Sequence, residues 1–256
     1  MALEVKHFDI ENSNSVIWDS VASCFKEVDS SILKYTPGKD NYETVWPILC
    51  QIISQQLPQE KKQGKYRACD FGCGTGILAK KMDEMNFKTF ACDISKGMIL
   101  QAHMENQSNV KFDVGSIDFV QKYSPYKLIT AIMVFQFIAD LNPIIEVLSR
   151  CLDKNGLLFF ATHHIEYVKE CTACGTKFRN IEGNIFPTKG DILIGTKWVK
   201  TYIRSAEWYD NILSSNGLHR IKYSLQGKVI PTDIAQEKID AWSSLKYYIA
   251  CYKKDN

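Results

Sequence analysis

The stretch Ala68-Cys69-Asp70-Phe71-Gly72-Cys73-Gly74-Thr75-Gly76 decides the fold. A short apolar run ends in a carboxylate and three alternating glycines, the pattern of a strand turning into a helix. Glycines let the backbone pass close to a ligand, and a helix N-terminus offers unpaired amides and a positive dipole end. The spacing is Gly-x-Gly-x-Gly, not the Gly-x-Gly-x-x-Gly of dinucleotide folds, and Asp70 would repel a pyrophosphate while suiting a ligand with an amino group. Seventeen residues after Gly76, Phe90-Ala91-Cys92-Asp93 closes a second strand with a carboxylate able to accept from two ribose hydroxyls at once.

Outward from this pair, short apolar runs alternate with amphipathic stretches, the sign of a parallel sheet covered by helices. The pattern predicts strands over 66–71, 88–92, 110–114, 128–134 and 157–162, and helices over 76–85, 95–107 and 143–152. Residues 1–64 read as helical, with apolar residues at helical spacing on either side of a break at 35–40. The core begins near residue 65. The pattern loosens over about 163–204, an insertion. A helix over 206–216, capped by Ser205 and Gly217, leads to alternating strands over 218–225 and 245–253.

With the acidic glycine loop, Asp93, Ser95 and Met98 in this order, the chain resembles the class I S-adenosylmethionine-dependent methyltransferases, closely over 66–162 and loosely beyond. The resemblance implies a Rossmann-like α/β fold, with a seven-stranded, mostly parallel sheet, an antiparallel last strand and helices on both faces. It implies S-adenosylmethionine as cofactor. Its methionine end would lie on the loop holding Asp70, Gly72, Cys73, Gly74 and Gly76, its ribose on Asp93, and its adenine against Ile94 and Met98, with Ser116 and Ile117 at the edge. Met133, Phe135 and Gln136 would pass near the reactive methyl. Two shorter stretches, 17–22 and 161–164, are similar to small-molecule methyltransferases of the group that includes quinone-biosynthesis enzymes. In that group residues equivalent to 1–64 form a lid and the insertion shapes the acceptor pocket. No Asp-Pro-Pro-Tyr or Asn-Pro-Pro-Tyr follows the fourth strand, which counts against amide or nucleobase methylation.

Methyl transfer is an in-line displacement, so few catalytic side chains are obligatory beyond those that align the partners and remove a proton. His163 and His164, at the exit of a strand facing the ligand crevice, are the candidate bases. Tyr35, Tyr202 and Arg204 are candidate acceptor contacts, and an aromatic-rich lid and insertion suggest an apolar or planar acceptor.

The 256 residues are 45% hydrophobic, with a formal charge of +2. This is the composition of a soluble globular protein and argues against a dedicated nucleic-acid binder. The first twenty residues carry five acidic or basic side chains and no apolar segment, so a cytoplasmic location is expected. The longest apolar run, 128–139, is too short to span a membrane. Nine cysteines, scattered through apolar stretches, read as reduced and buried. Cys171-Thr172-Ala173-Cys174 has metal-ligand spacing, but no second such pair follows, and no metal is expected. The competing readings are a methyltransferase of RNA or protein, a non-catalytic S-adenosylmethionine-binding protein and, more remotely, a nicotinamide dehydrogenase.

Overall fold

The computed structural model describes residues 12–22, 25, 41–57, 66–105, 108–183, 185–227 and 245–255. In chain order, α1 (Asn12–Val21) and α2 (Trp46–Gln56) precede β1 (Arg67–Phe71), α3 (Ile77–Glu84), β2 (Lys88–Asp93), α4 (Lys96–Glu105) and β3 (Lys111–Val114). Next come α5 (Ile117–Tyr123), β4 (Tyr126–Ile132), α6 (Asn142–Cys151), β5 (Leu152–His163) and α7 (Ile165–Ala173). The chain then forms β6 (Phe178–Arg179), β7 (Thr188–Ile194), β8 (Lys197–Ile203), α8 (Ala206–Ser215), β9 (Leu218–Gly227) and β10 (Leu245–Lys254).

The main sheet has seven strands in the order β3-β2-β1-β4-β5-β10-β9. β1 to β5 pair in parallel, and β10 runs antiparallel to both β5 and β9. This is the fold class that the family resemblance implies, with β10 as its antiparallel last strand.

Strands buried on both faces read as near-continuous apolar runs, and their alternating side chains feed two cores. On β5, Leu158 and Phe160 join Ile144 and Leu148 of α6, Tyr209 of α8 and Tyr252. Leu157, Phe159 and Ala161 instead meet Leu49 and Ile52 of α2, Leu78 and Met82 of α3, and Cys251. The large side chains buried on each face contribute roughly 1.5–3 kcal/mol apiece.

Three segments depart from the sequence expectation. Residues 117–123 form α5, a helix too short for its three buried residues, Ile117, Phe119 and Val120, to show a full period in sequence. β4 ends at Ile132, because Met133 turns the chain with φ of 59°. β5 begins at Leu152, taking in the polar stretch Asp153–Asn155 that lies between the expected helix over 143–152 and the expected strand over 157–162. Within the insertion, α7 packs with a separate three-stranded antiparallel sheet, β6-β7-β8. The core of this layer is Val168, Phe178, Ile192, Val199 and Ile203.

α1 docks on the sheet domain through Asp19. Its Oδ1 accepts from Ser95 Oγ at 2.6 Å and from the Gly97 amide at 2.8 Å, at the start of α4. A Cβ on Gly97 would stand 3.2 Å from the Asp19 backbone, so this approach has little slack. Among the described residues, no helix is long and apolar enough to cross a membrane.

Candidate functional site

A cavity of about 470 Å³ opens at the C-terminal edge of the sheet, lined by residues of β1, β2 and the segments that follow β3, β4 and β5. The strand order reverses between β1 and β4, the place where open α/β sheets hold ligands. The volume falls within the range of small-molecule sites.

One end of the cavity is made by the glycine loop. The Gly72 and Cys73 amides bond the Cys92 carbonyl at 2.8 and 3.0 Å, tying the loop to β2. Gly72 has φ of +74°, and a Cβ there would stand 2.4 Å from Val134 Cγ2, so the loop and the segment after β4 touch through a missing side chain. Gly74 is the opposite case, for a Cβ on it would meet nothing within 4 Å. Its backbone is open to the cavity, which it lines.

Two carboxylates meet at this end. Asp70 is 2% exposed and its Oδ1 accepts from Thr130 Oγ1 at 2.7 Å. Burial pushes its pKa up to about 7, with the Asp93 charge adding and the Thr130 hydroxyl opposing. Asp93 Oδ2 accepts from the Gly74 amide and its Oδ1 from the Ser95 amide, both at 2.9 Å. Burial raises its pKa as well, and these two amides counter it. Asp93 thus clamps the loop to the start of α4 while keeping lone pairs for a ligand.

The cavity wall leaves polar atoms unsatisfied. Ser116 Oγ and Asn41 Oδ1 are buried, line the cavity and have no hydrogen-bond partner among the described residues. Orphaned polar atoms, an open glycine backbone and two carboxylates are the donor and acceptor set that an amino acid joined to a nucleoside needs. The residues present therefore fit S-adenosylmethionine.

Ile94, Met98, Cys73 and Met133 also line the cavity, as the sequence reading places them. Gly76 and Ile117 do not. The space beside Gly76 is filled by the Phe112 ring and Ala102, and Ile117 is buried in the core under α5.

At the other end, Gln136 and His163 pair. The His163 amide donates to Gln136 Oε1 at 3.3 Å, and Gln136 Nε2 stands 3.3 Å from His163 Nδ1. The amide contact turns the Gln136 NH₂ toward the ring, so Nδ1 accepts and the neutral imidazole carries its proton on Nε2. Burial, with the Lys177 charge adding, holds the His163 pKa well below its usual value. His163 is thereby neutral, with its remaining ring nitrogen a donor. Tyr167, Phe178 and Tyr247 pack around it at 5.5, 5.4 and 6.2 Å between ring centroids.

Four expected site residues sit elsewhere. His164 caps α7, its Nδ1 accepting from the Glu166 amide at 3.2 Å, and does not line the cavity. Phe135 is fully buried against Phe160 at 5.1 Å. Arg204 does not line the cavity and donates to the Phe135, Ile138 and Ala139 carbonyls at 2.9, 2.6 and 2.8 Å. Tyr202 lies beside the Arg204 guanidinium, at 5.5 Å from ring centroid to Cζ. Tyr35 lies outside the described residues.

Sequence reasoning missed Asn41, Lys177, Lys246 and Tyr247 as cavity residues. Lys246 carried a signal, since it shares strand parity with the buried Tyr248, Ala250 and Tyr252. A lysine at such a position needs a reason.

The sheet order and the acidic glycine loop at its switch point define a class I S-adenosylmethionine-dependent methyltransferase. The chain belongs to the methyltransferase domain family, whose model matches residues 44–222. It is 29% identical over 142 residues to a malonyl-[acyl-carrier protein] O-methyltransferase of Acetivibrio thermocellus, covering 53% of this chain and 50% of that one. It is 26% identical over 106 residues to a ubiquinone biosynthesis O-methyltransferase of Pelagibacter ubique, covering 40% and 44%. The chain spans about half the length of the curated relatives it matches. Among solved structures it resembles the magnesium protoporphyrin IX methyltransferase of Synechocystis PCC 6803 with bound SAM, at a TM-score of 0.62 and 13% identity, covering 99% of each chain. The putative S-adenosylmethionine-dependent methyltransferase from Listeria monocytogenes gives a TM-score of 0.62 at 16% identity, covering 81% of this chain and 96% of that one.

Proposed function

We propose that the protein transfers a methyl group from S-adenosylmethionine to a small-molecule acceptor, O- or N-directed, by in-line displacement. The observation that carries this reading is the single cavity with two chemically different ends. Asp70 and Asp93 mark one, and Gln136 and His163 mark the other. The names of the curated relatives, which act on malonyl-[acyl-carrier protein] and in ubiquinone biosynthesis, agree with O-methylation.

Asp70 takes the amino group of the cofactor, Asp93 its ribose hydroxyls, and Ile94 and Met98 the flat faces of the base, with Ser116 at its edge. S-adenosylmethionine supplies an electrophilic methyl group on a sulfonium. What the chain does is align and dry the reacting atoms. Trp18 lines the cavity and packs on Phe137 at 5.0 Å, so docking α1 through Asp19 brings an aromatic cover over the site. On this reading residues 1–64 act as a lid on a core of 65–256, and 163–204 as a cap shaping the acceptor pocket. His163 acts as a hydrogen-bond donor at Nε2 that orients the acceptor. It is not the base, because Nδ1 is engaged by Gln136.

Calorimetric titration with S-adenosylmethionine, S-adenosylhomocysteine and NADH tests this. Binding of the two sulfur ligands at one per chain without NADH binding is expected, and the absence of both would overturn the reading. Methyl transfer from labelled cofactor to pooled small acids, phenols and amines then tests for turnover.

A further inference from the structure

The turn from Asp93 to Met98 is shared by the cavity and by α1. Asp93 and Met98 line the cavity, Ser95 is fully buried, and Gly97 meets α1. The Ser95 amide donates to Asp93 Oδ1 at 2.9 Å, while the Ser95 hydroxyl accepts from the Met98 amide at 3.1 Å and donates to Asp19 Oδ1 at 2.6 Å. The same Asp19 oxygen accepts from the Gly97 amide at 2.8 Å. A helix start leaves its first amides without partners. At α4 the Ser95 hydroxyl takes one of them, and a carboxylate brought by another helix takes a second, at the positive end of the dipole. The Asp19 charge is also felt at Asp93, whose pKa it helps to raise. An unbroken chain of hydrogen bonds thus runs from the Gly74 amide through Asp93 and Ser95 to α1.

α1 has 10 residues, fewer than the roughly 12–15 that an isolated helix needs to persist in water, so it depends on what it docks against. Val21 and Ala22, at its end, form a small core with Met98. Trp18 lines the cavity and meets Phe137 edge-on at 5.0 Å. The helix therefore reaches the cofactor end through Asp19 and Met98 and the acceptor end through Trp18. Gly97 fits the same account. Alanine is the better residue inside a helix, but its Cβ would stand 3.2 Å from both the Asp19 Cα and the Asp19 carbonyl oxygen.

We infer that Asp19 is a positioning residue for the methyl transfer, tying the docking of α1, and with it the Trp18 cover, to the turn assigned to the cofactor ribose. This rests on the methyltransferase reading and adds to it the residue that couples a filled cofactor end to a closed cavity. By linkage, a cofactor that orders the 93–98 turn favours a docked α1, and a docked α1 slows the escape of the cofactor. The cover then closes over a loaded site, where the acceptor meets a sulfonium already shielded from water.

The test follows amide hydrogen exchange in peptides covering residues 12–22 of the full chain, with and without saturating S-adenosylhomocysteine, beside calorimetric affinity and the dissociation rate of that ligand. In the wild type the ligand should slow exchange of this segment by about five-fold or more. Asp19→Ala should abolish that protection and weaken binding by about five-fold or more, with the loss carried by faster dissociation. Asp19→Asn should restore both to within about two-fold, because its amide oxygen can still accept from Ser95 Oγ and the Gly97 amide. Gly97→Ala should reproduce Asp19→Ala although it strengthens the helix, and the double variant should bind no worse than Asp19→Ala alone. Asp19 is exposed, so its substitution leaves the sheet core intact. Exchange of 12–22 that ignores the ligand in the wild type, ligand protection that survives in Asp19→Ala, or a lower Tm in that variant with affinity unchanged would overturn the inference. Failure of S-adenosylhomocysteine to bind the wild type would instead overturn the methyltransferase reading.

Discussion

The two ends of the cavity are built by different means. The glycine-loop end consists of contiguous segments, 70–75, 93–98 and 115–116, and works largely through backbone amides and two carboxylates. The acceptor end gathers Trp18, Gln136, His163, Lys177, Ile194 and Lys246 from across the chain, and works through side chains. An end made of backbone at a strand-to-helix turn is rigid and suits one constant ligand. An end made of side chains on an insertion and a late strand can change its chemistry without disturbing the sheet.

If this division holds, damage at each end should be separable. The largest effect is expected from Asp93→Ala. It removes the proposed ribose contact and strips two amides, of Gly74 and Ser95, of their acceptor. Hydrogen bonds to a charged group are worth about 1.5–3 kcal/mol each. S-adenosylhomocysteine affinity should fall by roughly 2–4 kcal/mol in calorimetry, a loss of about 30-fold to several hundred-fold. Asp93→Asn should fare little better, since its NH₂ would face one of the two amides. Unchanged affinity in either variant would break the assignment of this end to the cofactor.

Asp70→Asn should separate binding from stability. The native pKa of Asp70 is raised to about 7 from a value near 4 in the unfolded chain, so the folded state binds more protons between these pH values. Stability contributed by the protonated form is complete below pH 4 and is lost as pH rises through 7. The asparagine variant escapes this loss and should melt higher than wild type at pH 8, by an amount equivalent to roughly 2–4 kcal/mol. It should also lose about ten-fold or more in cofactor affinity. In the wild type, that affinity should fall up to ten-fold per unit as pH drops below 7, because the amino group is held by the ionised form. A variant that melts lower at pH 8, or a flat pH profile of binding, would contradict the reading.

The same division explains what was legible in the sequence. Asp70, Gly72, Gly74, Asp93, Ile94 and Met98 could be placed on the cavity wall because they lie a few positions apart, at turns whose chemistry is local. His163 was found from strand position alone, and the donor role proposed for it depends on a partner that its own surroundings in sequence do not show. Nothing in the sequence near His163 shows that Gln136, 27 positions away, will take Nδ1. Arg204 looked like an acceptor contact because a charge beside an insertion usually faces solvent or ligand. Its burial against three carbonyls of the 135–139 segment is a tertiary fact. Lys177 falls in a stretch without clear periodicity, and only the folding of β6 to β8 turns it toward the cavity.

Gly72→Ala probes the contact between the ends. The new Cβ would overlap Val134, and the residue must keep φ of +74°. Strain of this kind costs about 1–3 kcal/mol. Thermal denaturation should show the loss, and Val134→Ala in the same chain should restore the part due to overlap while leaving the part due to φ. Full additivity of the two substitutions would mean that the loop and the segment after β4 do not touch.

The smallest effect on the cofactor, and so the sharpest test of separability, is expected from Arg204→Lys. Arg204 is 5% exposed and holds three carbonyls with its planar guanidinium, while Trp208 lies 4.8 Å from it. Lysine keeps the charge but presents a point donor on a flexible stem, so it cannot hold all three in one geometry. The segment it would release carries Gln136, which sets the His163 tautomer. Stability should fall by roughly 1–3 kcal/mol, a drop of several degrees in Tm for a chain of this length. S-adenosylhomocysteine affinity should stay within about two-fold, because the carbonyls that Arg204 holds belong to residues 135–139 and not to the glycine loop. Acceptor-dependent turnover should fall, with KM for the acceptor rising, since His163 would no longer be confined to one donor state. If cofactor affinity falls as much as turnover does, the two ends are one mechanical unit, and the constancy of the first cannot be what frees the second to vary.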